Sequence, residues 1–312
     1  MTYLPDSIDV VRVKTWEQYP WLRHGFSTRR GGVSRVYGGD SLNLSWTKED
    51  DAGAVAENRT RFLSAVTDES SSDAPIALVG VRQIHSSIVH DVRNLDDVIE
   101  RKLQTSEGKP VLEGDGLITA LPGVLVAVVT ADCVPVLVAD TRKRVVAAFH
   151  AGWRGTAARI VENGIATLRQ SYGSRAEDLV AAIGPSIGPC CYSVGEELYA
   201  AFASNFDYAD QLFHRALASE PGRIGSALSP APAESRDQLH LNLWEANRRQ
   251  LLHAGLSGGQ ITVLAECTAC SRDAQGRLRY FSHRGERGIT GRMLAVVGTG
   301  NESPRGRPTS SL

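Results

Sequence analysis

The sequence predicts an α+β fold: a mixed β-sheet, sandwich-like core with flanking helices, built as a single domain. Short apolar runs bounded by Gly, Asp and Pro outnumber helical patterns. Strands and helices also fail to alternate regularly, as they would in a doubly wound parallel sheet. Finally, 312 residues with 42% hydrophobic and 22% charged content can bury a large core without disulfides.

Taken in order, Ala77–Val81, Leu125–Val129, Pro135–Ala139, Val145–Phe149, Leu179–Ile183, Ile261–Leu264 and Met293–Val297 read as strands. A helix beginning near Gly155 or Thr156 keeps Ala157, Ile160, Val161, Ile165 and Leu168 on one face. A second carries Leu243, Trp244, Leu251 and Leu252, and Asn242 with Glu245 three residues on forms a candidate capping box at its start. Ser70–Pro75 and Gln104–Pro110 have the composition of surface loops. Neither marks a domain boundary, so residues 1–298 are expected to form one unit and 299–312 a disordered tail.

Charge and composition exclude several classes. Lys and Arg number 34 against 35 Asp and Glu, a formal net charge of −1, so no overall field collects nucleic acid or an anionic membrane. The N-terminus lacks the basic start and apolar core of a signal peptide. The longest apolar stretch, Val124 to Val138, is interrupted by Asp132 and Pro135 and is too short to span a bilayer. The five cysteines are an odd number without a regular framework, which reads as reduced thiols. A cytoplasmic protein, monomeric or a small homo-oligomer, is expected.

Three segments place metal-competent side chains at or near strand ends: Gln83-Ile84-His85, Ala131-Asp132-Cys133 and His150-Ala151-Gly152-Trp153-Arg154-Gly155. Two His and one Cys match a catalytic zinc ion, which takes three protein ligands and leaves a fourth position open. Taken singly, a His or Cys beside a strand is more often a packed or surface residue than a ligand, and spacing alone does not separate the two. Around His150, a strand, a Gly-containing turn and a helix start present unpaired backbone N–H groups, and Arg154 adds a cation: the makings of an anion site. A surface salt bridge is the alternative for Arg154.

The residues as a set point further. His24-Gly25-Phe26-Ser27-Thr28-Arg29 with Gly31-Gly32-Val33-Ser34, Ser41-Leu42-Asn43-Leu44, Gln83-Ile84-His85, Gly114-Asp115-Gly116, Thr130-Ala131-Asp132-Cys133-Val134-Pro135, the His150 segment through Thr156, Ile183-Gly184-Pro185-Ser186-Ile187, Cys267-Thr268 and Thr290-Gly291-Arg292 together resemble the polyphenol oxidase or laccase-domain family, whose members act as zinc-dependent purine nucleoside phosphorylases. The likeness spans nearly the whole chain.

The resemblance implies phosphate-dependent cleavage of adenosine, inosine or guanosine, with adenosine deamination and methylthioadenosine phosphorolysis as companion activities. It implies one catalytic zinc ion on His85, Cys133 and His150, with Arg29, Asn43 and Arg154 in pocket-lining motifs. Two departures stand out. Ser86 follows the first ligand where the family usually has Gly, which suggests a different backbone path. Phe281-Ser282-His283-Arg284-Gly285 replaces a stretch that tends to carry consecutive arginines.

On this reading phosphate lies between zinc, Arg154 and the helix start, and Asp132 acts as acid or base or orients a ligand. A turn residue bonding its own backbone is the alternative for Asp132. Two other readings stay open. Cys133 with His150 can form a metal-free cysteine hydrolase, and zinc can merely hold loops in a non-catalytic protein, with Cys267-Thr268-Ala269-Cys270 as half of a closed site or as two buried thiols. Cys190-Cys191 reads as structural, adjacent cysteines rarely having the geometry for a mutual disulfide. For copper oxidation, eight histidines without a His-x-His pair are poor material for a multinuclear cluster.

Overall fold

A computed structural model describes residues 8–67, 77–216 and 238–300. In chain order its strands are β1 (Val10–Val11), β2 (Leu22–Ser27), β3 (Arg30–Ser34), β4 (Ala77–Gly80), β5 (Val89–Val92), β6 (Gly116–Thr119), β7 (Val124–Thr130), β8 (Val134–Asp140), β9 (Val146–Ala151), β10 (Leu179–Ile183), β11 (Ser193–Val194), β12 (Phe213–Ala216), β13 (Gln238–Leu241), β14 (Ile261–Val263) and β15 (Met293–Thr299). The helices are α1 (Ala52–Thr67), α2 (Leu95–Ile99), α3 (Trp153–Ala157), α4 (Ile160–Tyr172), α5 (Glu196–Ala203) and α6 (Leu243–His253).

Two sheets pack face to face, as the expected sandwich requires. One has the order β1-β2-β15-β7-β4 and the other β14-β10-β8-β9-β6-β5, while β11-β13-β12 form a small third sheet. Both large sheets are mixed: β4 runs parallel to β7 and β10 parallel to β14, but β7–β15 and β8–β9 are antiparallel. Between them lie Val124, Val126 and Val128 of β7, Ala295 and Val297 of β15, and Leu137 and Ala139 of β8. The alternate residues of β8, Val134, Val136 and Val138, face outward onto Ile160, Ile165 and Leu168 of α4 and Leu243 and Leu251 of α6. Phe62 and Val66 of α1 cover Ala127 and Val296 on the outer face of the first sheet. Strands covered on both faces need apolar residues at every position, which is why these runs stand out as continuous rather than alternating.

Each expected strand forms, with ends shifted by no more than two residues. The strands that reasoning from sequence did not find are short or polar: β2 carries Arg23, His24 and Gly25 between β1 and β15, so neither an apolar run nor a period of two marks it.

Three details differ from expectation. The helix expected from Gly155 or Thr156 starts earlier, at Trp153, and breaks in two, because Arg159 takes a left-handed φ of 59° between α3 and α4. Only half of the capping box exists: Asn242 accepts the Glu245 N–H at 3.0 Å, but the Asn242 N–H goes to the Leu212 carbonyl and the Glu245 carboxylate to Arg249. Gln104–Pro110 is an ordered turn, closed by Thr105 and Gly108 backbone bonds, and it contributes to the wall of the cleft described below.

At the C-terminal end β15 runs through Thr299, which pairs with Leu22, and residues 301–312 lie outside the described residues, as does Ser70–Pro75. Among the described residues no helix is long and apolar enough to cross a membrane.

Candidate metal centre and cleft

The chain passes from one sheet to the other at Ala131-Asp132-Cys133, the corner between β7 and β8. Asp132 takes a φ of 95°, a conformation costly for a residue with a Cβ. Two bonds hold it there: its Oδ1 accepts the Thr268 hydroxyl at 2.6 Å and its Oδ2 the Arg284 N–H at 2.6 Å. The corner thereby directs Cys133 toward His150, which stands near the end of β9, opposite Pro135 in the ladder.

His85 arrives on the segment after β4. Gln83 anchors that segment to β7, its side-chain amide bonding both the N–H and the carbonyl of Val129 at 2.7 and 2.8 Å. The left-handed position here is His85 itself, at φ 60°. Ser86 follows no glycine-like path; its N–H and hydroxyl both bond the carboxylate of Asp115, so the serine replaces backbone freedom with side-chain anchoring.

The three expected metal donors therefore meet. Their ligating atoms lie within 4.8 Å of one another, with Cys133 Sγ 4.0 Å from His85 Nε2 and the two imidazole centroids 5.0 Å apart. Tetrahedral zinc with bonds of about 2.3 Å to sulfur and 2.0 Å to nitrogen needs a sulfur–nitrogen separation near 3.6 Å, so small rotations close the site. Gly152 clears the space: a Cβ there would stand 2.8 Å from Cys133 Sγ and 3.2 Å from the His85 ring.

Asp115, fully buried, organises the centre. Its Oδ1 lies 2.8 Å from His150 Nδ1 and accepts the His85 N–H at 3.0 Å. With Nδ1 held in this way, His150 presents Nε2 as its free donor. Burial works against charge on all three groups, yet their mutual attraction prevails. His150 and His85 hold the Cys133 thiol down to about 6, Cys133 and Asp115 push His150 up to about 9, and bonds from His150 and Ser86 hold Asp115 down to about 2. Asp115 lay in a recognised motif but had no assigned role, because nothing local in Gly-Asp-Gly shows which imidazole it will meet.

A cleft of about 610 Å³ opens from this centre. Val81, Ala127, Val129 and Leu294 give it an apolar floor, and Trp46 and Tyr192 add aromatic surface. Four guanidinium groups reach it: Arg59, Arg82, Arg284 and Arg292. Arg82 is paired with Glu113, and Arg284 bonds Ser193. Arg59 bonds the Leu44 carbonyl and lies 4.5 Å over the Trp46 ring, and Arg292 bonds the carbonyls of Thr290 and Gly291; among the described residues neither meets a carboxylate. Burial lowers Arg59 to about 10, the mark of a cation short of a counter-ion.

The residues expected to bind substrate stand elsewhere. Arg154 is exposed, stacked 4.3 Å over Trp153, and does not line the cleft. Arg29 is buried against Glu286, at 2.9 Å, and Phe281. Asn43 is fully buried, where its Oδ1 accepts the Arg292 N–H at 2.9 Å. Its neighbour Leu44 receives Arg59 on its carbonyl and bonds the Arg292 carbonyl through its own N–H. Asn43 and Leu44 together thus frame Arg292 and Arg59, and neither lines the cleft. Arg292 sat in a noted motif; Arg59, on a solvated-looking helix, had no signal in the sequence.

Three donors at a strained sheet corner, facing an apolar cleft with unneutralised cations, define an enzyme of α+β architecture. The chain belongs to the family described as multi-copper polyphenol oxidoreductase laccase, whose model matches residues 23–300. It is 34% identical to a purine nucleoside phosphorylase of Bacteroides thetaiotaomicron over 89% of this chain and 92% of that protein. To a purine nucleoside phosphorylase of Deinococcus radiodurans it is 36% identical over 88% of each. The crystal structure of the Bacillus licheniformis hypothetical protein YfiH superposes with a TM-score of 0.75 at 30% identity, covering 94% of this chain and 97% of that one. Among the described residues, groups of three or more metal-competent side chains occur only here and in a cluster of four cysteines.

Proposed function

We propose that the chain is a zinc-dependent purine nucleoside phosphorylase, cleaving adenosine, inosine or guanosine with phosphate to free base and ribose 1-phosphate. The observation that carries this reading is the pairing, in one cleft, of a three-donor centre with Arg59 and Arg292, whose guanidinium groups meet no carboxylate among the described residues. A phosphate dianion supplies the missing charge and matches the planar fork of each guanidinium. The apolar floor suits the flat purine.

His85, Cys133 and His150 would hold the zinc ion, which when bound would supply Lewis acidity toward an oxygen of phosphate or ribose. The chain's own residues do the rest. Asp115 keeps His150 Nε2 turned to the centre, Arg59 and Arg292 hold phosphate and orient it, and Trp46 and Tyr192 restrict water around the base. In this reading phosphate sits at Arg59 and Arg292 rather than at Arg154, and Asp132, with both carboxylate oxygens already bonded, serves to hold the Cys133 corner.

A second reading has its own observation. Cys133, His150 and Asp115 have the order and contacts of a thiolate–imidazolium–carboxylate triad, which needs no metal. One assay separates the two: adenosine and inosine, with and without phosphate, before and after zinc removal, with inosine formation from adenosine followed in parallel. Phosphate-dependent base release that disappears with zinc and returns on adding it supports the phosphorylase; metal-free protein with no nucleoside turnover but hydrolytic activity toward activated esters supports the triad.

A further inference from the structure

Behind the cleft, the loop after β10 brings Cys190 and Cys191 against Cys267 and Cys270, which follow β14. The four sulfurs lie within 4.8 Å of one another, and Cys190 Sγ is 3.7 Å from Cys270 Sγ. A tetrahedral zinc–thiolate centre with bonds of about 2.3 Å has sulfur–sulfur edges of about 3.8 Å. The Cys267-x-x-Cys270 segment is wound as a turn, with the N–H groups of Cys270 and Ser271 on the Cys267 carbonyl. The Gly188 N–H donates to Cys267 Sγ at 3.2 Å, a bond that steadies thiolate charge. The expectation of two buried thiols holds for Cys267 alone, Cys270 being exposed.

We propose that Cys190, Cys191, Cys267 and Cys270 form a second metal site, a tetrathiolate closed by four protein ligands that binds a zinc-class ion for structural purposes. Four ligands leave no position for substrate. The ion staples two chain segments 80 residues apart. Both reach the cleft: Tyr192 follows Cys191 and lines it, while Thr268, next to Cys267, holds Asp132 at 2.6 Å. Loss of the ion therefore loosens Tyr192 and the Cys133 corner without removing a ligand from the first centre.

The test is metal content of the full chain prepared under reducing conditions, by native mass spectrometry and elemental analysis. Two zinc equivalents are expected, one lost in Cys267→Ser/Cys270→Ser and the other in His85→Ala. Cobalt exchange should show thiolate charge-transfer absorption that falls by well over half in the double cysteine variant. Should that variant fail to fold, the wild type alone decides: exposed Cys190 and Cys270 should resist alkylation until a chelator is added. A single zinc equivalent, with a Cys190–Cys270 disulfide or with all four thiols alkylated in metal-replete protein, overturns the proposal.

Discussion

Asp115 Oδ1 bonds the Nδ1 of His150 at 2.8 Å and the backbone N–H of His85 at 3.0 Å, so one buried carboxylate sets the position of two donors that lie on different segments. Replacing it with Asn should weaken zinc binding about 10- to 100-fold, the usual cost of losing the partner of a ligating imidazole. It should also destabilise the fold by about 3 kcal/mol, since it leaves a buried partner uncompensated. Chelator competition reads the first effect and urea unfolding the second; unchanged zinc affinity would remove Asp115 from the centre.

Gly152 leaves room for the donors, and Gly152→Ala puts a methyl 2.8 Å from Cys133 Sγ. Zinc occupancy should drop at least tenfold while the sheet core, probed by circular dichroism, stays intact. Full occupancy would mean that the corner shifts freely.

Arg59 and Arg292 should act on phosphate rather than on the nucleoside. Each charge-assisted bond is worth about 1.5–3 kcal/mol, so Arg59→Ala or Arg292→Ala should raise the KM for phosphate about tenfold or more, with little change in the KM for inosine. Asn43→Ala should reproduce the phosphate defect more weakly, because it unseats Arg292 without removing it. Equal effects on both substrates would place the arginines outside a phosphate site.

His24 predicts an acid-sensitive fold. Burial, then the nearby charge of Arg12, lowers it to about 4 from the usual 6.5, and its Nε2 accepts the Val13 N–H at 2.9 Å. The unfolded chain therefore binds the extra proton first. Stability is full above pH 6.5 and falls as pH drops toward 4, by up to about 3 kcal/mol. Urea midpoints between pH 7 and 4.5 should decline in the wild type and decline less in His24→Gln, whose side chain can still accept from Val13.

Gly164 on α4 faces Phe149, the residue before His150, and a Cβ there would stand 2.2 Å from the ring. Ala ordinarily favours a helix over Gly by about 1 kcal/mol, but overpacking costs about 1–3 kcal/mol or more. Gly164→Ala should therefore lower the Tm, a loss that a helix-propensity argument alone would predict as a gain.

What the sequence by itself determined is the part written in short strings. Continuous apolar runs announced the strands that are covered on both faces, and three motif residues at strand ends named His85, Cys133 and His150 as a set. The tertiary structure decided everything that depends on which distant segments meet. Asp115 and His150 are 35 residues apart, and Arg292 meets Asn43 across 249, so no periodicity or spacing connects them. For the same reason the motifs that hold Arg29 and Asn43 did not show that both side chains are buried against other residues, or that Arg154 turns outward onto Trp153. A polar residue's type shows what chemistry it can do; the packing of sheets and loops around it decides whether that chemistry faces a cleft, a partner or water.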